Sequence, residues 1–437
     1  MHQKLPISLI LLVSFLLSVI VLPIEAKPTI AVILPETERN FHIVSDMRLA
    51  IEQSYMRFNE SDAPEFDIEF HNNYADTDST TAVTNRLCSR PEIVTILGGF
   101  PSSCAQITAT LAHNASIPYL IISASDDTLT RTESNHVFRI APPSTDYNDG
   151  LVSWAISIAG ARRNIAIIYE NHPRSEEVVA DLMRDMRRRW RGAVARHSFE
   201  PGEEDFSGLI EALEDDKPTL VWIIGWLSDT ARFMRQCRGG DWTPIAFVAG
   251  TAGIVSNKMV SISEGASDYL FAPMVWWPKV TYPFSYEFVK EFNFARDYDP
   301  EYHAAEAYAT MQVLLEAVSK CDVIDRFELY HALDEIDIYT VVGRVRFEDY
   351  RGFTNQNRMT TIAMQLQGQQ WKSVWPLKYA ETNYIYPAPD WNERENTEYR
   401  QKGPNWLPLL FVIAFGLLLL FGKWKREIGR ASCRERV

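Results

Sequence analysis

Cysteine is scarce in this chain, five residues in 437, and none falls at the paired spacing of a metal site. Net basic charge is missing as well. The 43 Lys and Arg stand against 57 Asp and Glu, a formal charge of −14, which argues against a nucleic-acid partner, because phosphates demand basic surface. No phosphate-binding P-loop, nucleophile elbow or paired-histidine metal signature occurs, so no catalytic residue, metal or cofactor is expected and the chain does not read as an enzyme. His303 and Glu306 share one helix, but a lone pair lacks the further ligands a metal needs. Cys88 should close one helix and Cys104 open the next; the strand 93–98 between them spans about 20 Å, beyond disulfide reach. The cysteines therefore read mostly as free, buried thiols.

What the chain does have begins with two apolar runs. Residues 1–26 carry Lys4, an apolar stretch from about Leu9 to Leu22, and Ala26 as a small residue before the mature start, the pattern of a secretory signal. An uncleaved anchor is the alternative, since Ile24 is poorly suited to the position three before the cut. The second run, Trp406 to Gly422, reaches roughly 25 Å as a helix, enough for a thin bilayer. Lys423, Lys425 and Arg426 follow at once, which puts the C-terminus on the cytoplasmic side and the rest outside. The last eleven residues, Glu427 to Val437, resemble an in-frame translation of a synthetic sequencing adapter, so the tail 423–437 is open to doubt from residue 427. A cytoplasmic output module beyond it stays open.

Between these runs, short apolar segments alternate with longer amphipathic ones: "TIAVIL", 43–58, "FDIEFH", 79–89, "IVTILGG", 103–113, "PYLIIS". Such βα alternation makes parallel sheets covered by helices on both faces. It restarts after residue 142, with strands at 164–169, 195–199 and 219–225 separated by helices at 174–191, 205–213 and 228–238. The expected organisation is lobe 1 from 27–142 and 271–335, lobe 2 from 143–270 and 336–376, and a polar, proline-punctuated stalk over 377–405. In "MRDMRRRWRG" (183–192), Met183, Met186 and Trp190 fall on one helix side and the arginines on the other, a solvated face before a lipid-binding one. The aromatic stretch 274–288 reads more as hinge and core packing than as a pocket.

In open α/β sheets, ligands bind outside the carboxyl ends of the strands. That rule selects the turns 35–41, "GGFPSS" with Ser102 and Ser103, "SASDDT" with Ser125, Asp126 and Asp127, "ENHPRS" with Arg174, and the pair Trp226 and 250–253. Ser102 and Ser103 can serve as helix N-cap and ligand donor together, beside the unpaired N–H groups of a first helical turn.

The blocks "FPSSCAQITATLAHNASIPYLIISASDDTL", "HVFRIAPPSTDYNDGLV", "PTLVWIIGW", "DPEYHAAEAYATMQVLLEAV" and "GRVRFEDYRG" closely resemble type I periplasmic solute-binding proteins, nearest to the leucine and branched-chain amino acid binding family of ABC importers. The resemblance covers nearly all of 27–376. It implies a two-lobed α/β clamp, each lobe a parallel sheet with helices on both faces, that closes on a small molecule. It also implies that Ser102 takes part in holding an amino acid's carboxylate and that the turn Ser125 to Asp127 contributes main chain and a hydroxyl. Here that turn is shorter and carries two acids. Arg174 stands where the family usually has a tyrosine, Ala252 near where it has an acid, and Trp226 keeps an aromatic cleft position. Asp127 and Arg174 could grip a zwitterion in reversed orientation or latch the closed state; the aspartates could instead simply bond their own turns.

The expectation is a membrane-tethered, extracytoplasmic protein that captures a small polar, amino-acid-like solute for an ABC permease. A transmembrane receptor whose outer clamp reports a ligand to a signalling module is the rival, and an extracytoplasmic hydrolase a distant third.

Overall fold

The computed structural model describes residues 27–394 other than 59–64, 132–134, 160–163, 241, 243 and 252, and of Ala159, Arg174 and Arg188 the backbone alone. The signal segment 1–26, the apolar run 406–422 and the tail 423–437 lie outside the described residues. Among the described residues no helix is long and apolar enough to cross a membrane.

The expected alternation builds the first sheet. Strands β1 (Thr29–Leu34), β2 (Asp67–Asn72), β3 (Ile93–Gly98), β4 (Tyr119–Ile121) and β5 (Val137–Arg139) run parallel in the order β5-β4-β3-β1-β2. Every residue of β1 and β3 is buried, as expected for strands covered on both faces. Helices α1 (Phe41–Phe58), α2 (Thr77–Cys88) and α3 (Ser102–Asn114) make the crossovers. Asp76 caps α2 by accepting from Ser79 N–H at 2.7 Å.

The second sheet repeats the plan. After α4 (Asp149–Ala159) come β6 (Ile165–Glu170), α5 (Pro173–Arg189), β7 (Val194–Phe199), α6 (Ser207–Asp216), β8 (Leu220–Ile224), α7 (Leu227–Gly239), β9 (Ala246–Ala249), α8 (Asn257–Ile262) and β10 (Phe271–Met274). The parallel order is β10-β9-β8-β6-β7. Both sheets reverse strand order beside their first strand, at β1/β3 and at β6/β8. Those reversals open crevices at the strand ends.

The chain then returns through α9 (Ser285–Arg296), α10 (Tyr302–Ser319) and α11 (Arg326–Asp334). Helix α10 is buried along nearly its whole length and packs on α1. Strands β11 (Asp337–Thr340), β12 (Gly343–Tyr350) and β13 (Phe353–Asn357) extend the first sheet; β14 (Ile362–Gln367) and β15 (Gln370–Trp375) extend the second. Residues 337–357, expected in lobe 2, thus complete lobe 1, and β10, expected in lobe 1, stays in lobe 2. The reason is pairing: Gln356 registers with Arg139 on β5, and β10 registers with β9 and β14. Alternating apolar residues reveal a strand and leave its neighbour unspecified.

The stalk expected from residue 377 is also corrected, as far as residue 394. Gln365 donates to the Ile385 carbonyl and accepts from its N–H, both at 2.8 Å. Tyr384 and Tyr386 stand edge-on to the buried Trp154. In α12 (Trp391–Arg394) the Trp391 indole donates to the Trp242 carbonyl at 2.9 Å and Arg394 to the Asp268 carbonyl at 3.0 Å. Lack of a repeat in this stretch excludes a long helix or strand and leaves packing open, because its aromatics supply burial without one.

The aromatic stretch 274–288 is mostly core: Trp276 is buried with its indole donating to the Val341 carbonyl, and Phe288 is buried, while Phe284 and Tyr286 are exposed. On α5 Met186 is buried and Arg187 exposed, and just past its end Trp190 is buried and Arg191 exposed. The four described cysteines are free thiols.

The glycines of "LGGFPSS" have a backbone reason. Gly99 sits at φ +91°, and a Cβ there would lie 2.8 Å from Ile121 Cγ2. Gly99→Ala therefore combines a left-handed backbone penalty with overpacking and is expected to cost about 1–3 kcal/mol. Urea unfolding should show a lower midpoint with an unchanged slope.

Candidate functional site

The first wall grows from the ends of β3 and β4. Pro101, not Ser102, holds the cap position of α3; it makes no side-chain cap bond, and its carbonyl accepts from the N–H groups of Cys104 and Ala105 at 3.1 and 3.0 Å. Proline's fixed φ suits that extended position. Ser102 and Ser103 consequently lie one step inside the helix, half-buried and exposed respectively, and the expected capping role is corrected.

The turn after β4 is fastened from beneath by Arg139, which is fully buried. Its guanidinium donates to the Asp126 carbonyl, to Thr130 Oγ1 at 2.7 Å and to Gln356 Oε1 at 2.5 Å. Burial pulls its pKa down to about 10, against the opposing pull of Asp127. The Ser125 carbonyl accepts from Ser144 N–H and Oγ at 2.8 and 3.0 Å. Asp126 bonds its own turn, accepting from Thr128 N–H at 2.9 Å and Oγ1 at 2.6 Å. Asp127 pairs with Arg131 at 3.1 Å and accepts from Ser144 Oγ at 3.1 Å. Both aspartates are thus bonded within the first wall.

One cluster has a wider reach than its sequence spacing shows. His303 and Glu306, one turn apart on α10, meet Ser123 just past β4: Ser123 Oγ lies 2.5 Å from His303 Nδ1 and 2.5 Å from Glu306 Oε2. All three are buried, and Glu306 Oε1 has no hydrogen-bond partner. The Phe100 ring, from the β3–α3 turn, packs on His303 with centroids 5.1 Å apart, and Tyr302 stacks on it at 4.0 Å. Burial drives the Glu306 carboxyl up to about 8, with the Ser123 hydrogen bond pulling the other way, and drives His303 down to about 4. Burial thus favours the neutral form of each. The sequence signal was the i, i+3 spacing alone; that Ser123 joins it depends on how α10 lies against β4.

The second wall comes from β6, β8 and β9. Glu170, the last residue of β6, is buried, and its pKa is raised by burial and next by Asp229 at the start of α7. Asp229 accepts from Gly202 N–H at 3.1 Å and pairs with Arg232 at 2.9 Å. Trp226 occupies the cap position of α7 and is 67% exposed. Arg174 is the second residue of α5, and its side chain is outside the described part, as is Ala252. Thr251 Oγ1 donates to the Gly225 carbonyl at 2.9 Å, tying the β8 and β9 ends together.

Between the walls lies a cavity of about 340 Å³, lined by Asp126, Asp127 and Arg131 from one lobe and by Glu177, Asp181 and Arg184 of α5 from the other. Beside it Arg351, in the β12–β13 turn, bridges Asp146 and Asp185, each at 3.1 Å. Asp146 also accepts from Tyr350 Oη at 2.7 Å. Arg351 and Asp185 thus form an ion pair between the lobes; the Arg174 side chain, expected opposite Asp127, lies outside the described part. Among the described residues no group of three or more His, Cys, Asp or Glu is placed to hold a metal ion.

Comparison with known proteins adds lineage. A family model described as periplasmic binding protein matches residues 28–370. The Leu/Ile/Val-binding protein homolog 7 of Brucella melitensis is 24% identical over 318 residues, covering 69% of this chain and 79% of that protein. An ABC transporter substrate-binding protein from Desulfitobacterium hafniense, solved with Leu, superposes with a TM-score of 0.65 at 16% identity, over 80% of this chain and all of that one. A solute-binding protein from R. palustris, solved with benzoate, gives a TM-score of 0.58 at 16% identity, over 84% and 97%. At such identities the solved structures speak to fold alone.

Glu306 also carries a test of the buried cluster. Its carboxyl stays protonated up to about 8 in the folded chain, against 4.5 in the unfolded one. Between these values the unfolded state gives up a proton that the folded state keeps, so stability falls as pH rises through that window. In Glu306→Gln the urea midpoint should fall less than in the parent between about pH 5 and 8. Parallel curves would show that Glu306 is already ionised in the folded protein.

Proposed function

Because the chain belongs to the periplasmic binding protein family, we propose that it is an extracytoplasmic solute-binding protein that takes a small polar, amino-acid-like ligand between its lobes for ABC-type uptake. The supporting observation is a shared cavity lined by the strand-end turn of one sheet and by α5 of the other. Ser102 opens α3 after β3 and Trp226 caps α7 after β8, each next to a strand reversal, though neither lines that cavity. In this reading Ser102, Ser103 and the first-turn N–H groups of α3 receive a carboxylate. Ser125, with Asp126 and Asp127 behind it, closes the first wall, and the second is assigned to Arg174, the second residue of α5, and to Trp226 at the cap of α7. The Brucella relative's name, Leu/Ile/Val-binding, supports an amino-acid class.

Tethering rests on the run from Trp406 to Gly422 and the basic residues after it. The same segment favours a second reading, in which the clamp is the sensing part of a transmembrane receptor and the output lies beyond Arg426. Native sequence downstream of Arg426 separates the two: a stop codon there supports transport, and continued coding sequence supports signalling.

Thermal-shift screening of the purified chain against amino acids, amides, polyamines and short carboxylates should find a stabilising ligand. Ser102→Ala should then weaken its binding by about 1–2 kcal/mol, the scale of a lost hydrogen bond, read as a five- to thirty-fold larger Kd by calorimetry. Arg174→Ala should cost more if the ligand is anionic at that end. Unchanged affinity in both variants would put the ligand elsewhere.

A further inference from the structure

A second cavity, of about 300 Å³, shares no lining residue with the one in the cleft. Strand β12 presents Arg344, Arg346 and Glu348 to it from one face, since the alternate residues 343, 345 and 347 are buried. Arg358 lines it from the connection between β13 and β14, and Tyr282 from the one between β10 and α9. Both connections run from one lobe to the other, so the cavity lies where the chain crosses between them.

The chain as a whole carries −14, yet this cavity sets three guanidiniums against one carboxylate. Arg344 is already engaged, donating twice to Asp337 at 2.6 and 2.5 Å. Glu348 stands 3.6 Å from Arg346. Arg358 pairs with no carboxylate among the described residues and rests over the Tyr350 ring at 5.5 Å. Phe347 registers with Asn357, and one further step along that antiparallel pair sets Arg346 across from Arg358. Like charges so placed repel unless an anion lies between them. Tyr282 is an independent sign of a ligand. It is only 8% exposed, and its hydroxyl has no hydrogen-bond partner among the described residues. That oxygen is not one of the sealed polar atoms, and the cavity is the opening its ring lines.

We propose that this cavity binds a small doubly charged anion, a phosphate or phosphate monoester, between the guanidiniums of Arg346 and Arg358, with the Tyr282 hydroxyl donating to it. Two facing guanidiniums are balanced by two negative charges, and their planar forks match the paired oxygens of a phosphate. A monocarboxylate supplies one charge and leaves the other guanidinium unbalanced. A cation adds to the repulsion. The volume is at the small end of ligand sites, in keeping with a phosphate or a short ester. The site is separate from the cleft and does not depend on which solute is taken there.

Calorimetric titration of the full chain with inorganic phosphate, glycerol 3-phosphate, dihexanoyl phosphatidic acid and acetate tests this, at about 0.15 M salt so that loose surface pairing is screened. At least one phosphate compound should bind at a single site with a Kd below about 1 mM, roughly tenfold or more tighter than acetate. Arg346→Gln and Arg358→Gln should each raise that Kd about tenfold, and Tyr282→Phe should raise it several-fold. Binding of glycerol 3-phosphate should strengthen between about pH 5 and 7, as the ester loses its second proton near pH 6. The lipid binding far more tightly than glycerol 3-phosphate assigns the phosphate to a lipid headgroup, and equal or weaker binding assigns it to a soluble anion. Both arginines are exposed, so their variants should fold; if one does not, the other decides. Acetate binding as tightly as the phosphates, no binding by any of the four, or a Kd unchanged in both arginine variants overturns the assignment.

Discussion

The buried guanidinium of Arg139 constrains everything on the first-lobe side of the cleft. Taking such an ion out of water costs several kcal/mol, on the order recovered only when its N–H groups find well-placed acceptors. Here they come from two segments far apart in sequence: the Asp126 carbonyl and the Thr130 hydroxyl in the turn after β4, and the Gln356 side chain on β13. Gln356 in turn donates to the Ala141 carbonyl at 2.8 Å, and Asn357 to the Ile140 carbonyl at 3.0 Å, in the first crossing between the lobes. One charge therefore holds the turn after β4, the added edge of the sheet and the start of the crossing between the lobes in a single unit. A turn that short, with two aspartates in it, would otherwise have many conformations available.

This network explains what could and could not be seen in the sequence. Continuous apolar runs such as "TIAVIL" and "IVTILG" have one good solution, a strand covered on both faces, and the strand ends follow from them. Ser102, Trp226 and the first residues of α5 were legible for that reason. The destination of β11–β13 was not, because it depends on Arg139 and Gln356 meeting across more than two hundred residues, and neither residue type announces burial. Ser123 entered only as the first residue of the turn "SASDDT": a serine at a strand end is ordinary until a helix from the far end of the chain sets His303 and Glu306 against it. The 377–394 segment hid its role behind missing periodicity, though Tyr384, Tyr386 and Trp391 were a cue that it had surface to bury.

The two walls differ in what they can absorb when the lobes move. The first is stapled by neutral and charge-assisted bonds within one lobe. The link across the gap is Arg351 between Asp146 and Asp185, with the arginine side chain about a third exposed. A partly exposed ion pair contributes little net stability, which fits the proposed clamp, where such a contact would form and break with the lobes. A clamp needs only a few kcal/mol of differential affinity between its states to change which one is populated, so a stronger cross-lobe bridge would hold it shut whether or not it was loaded.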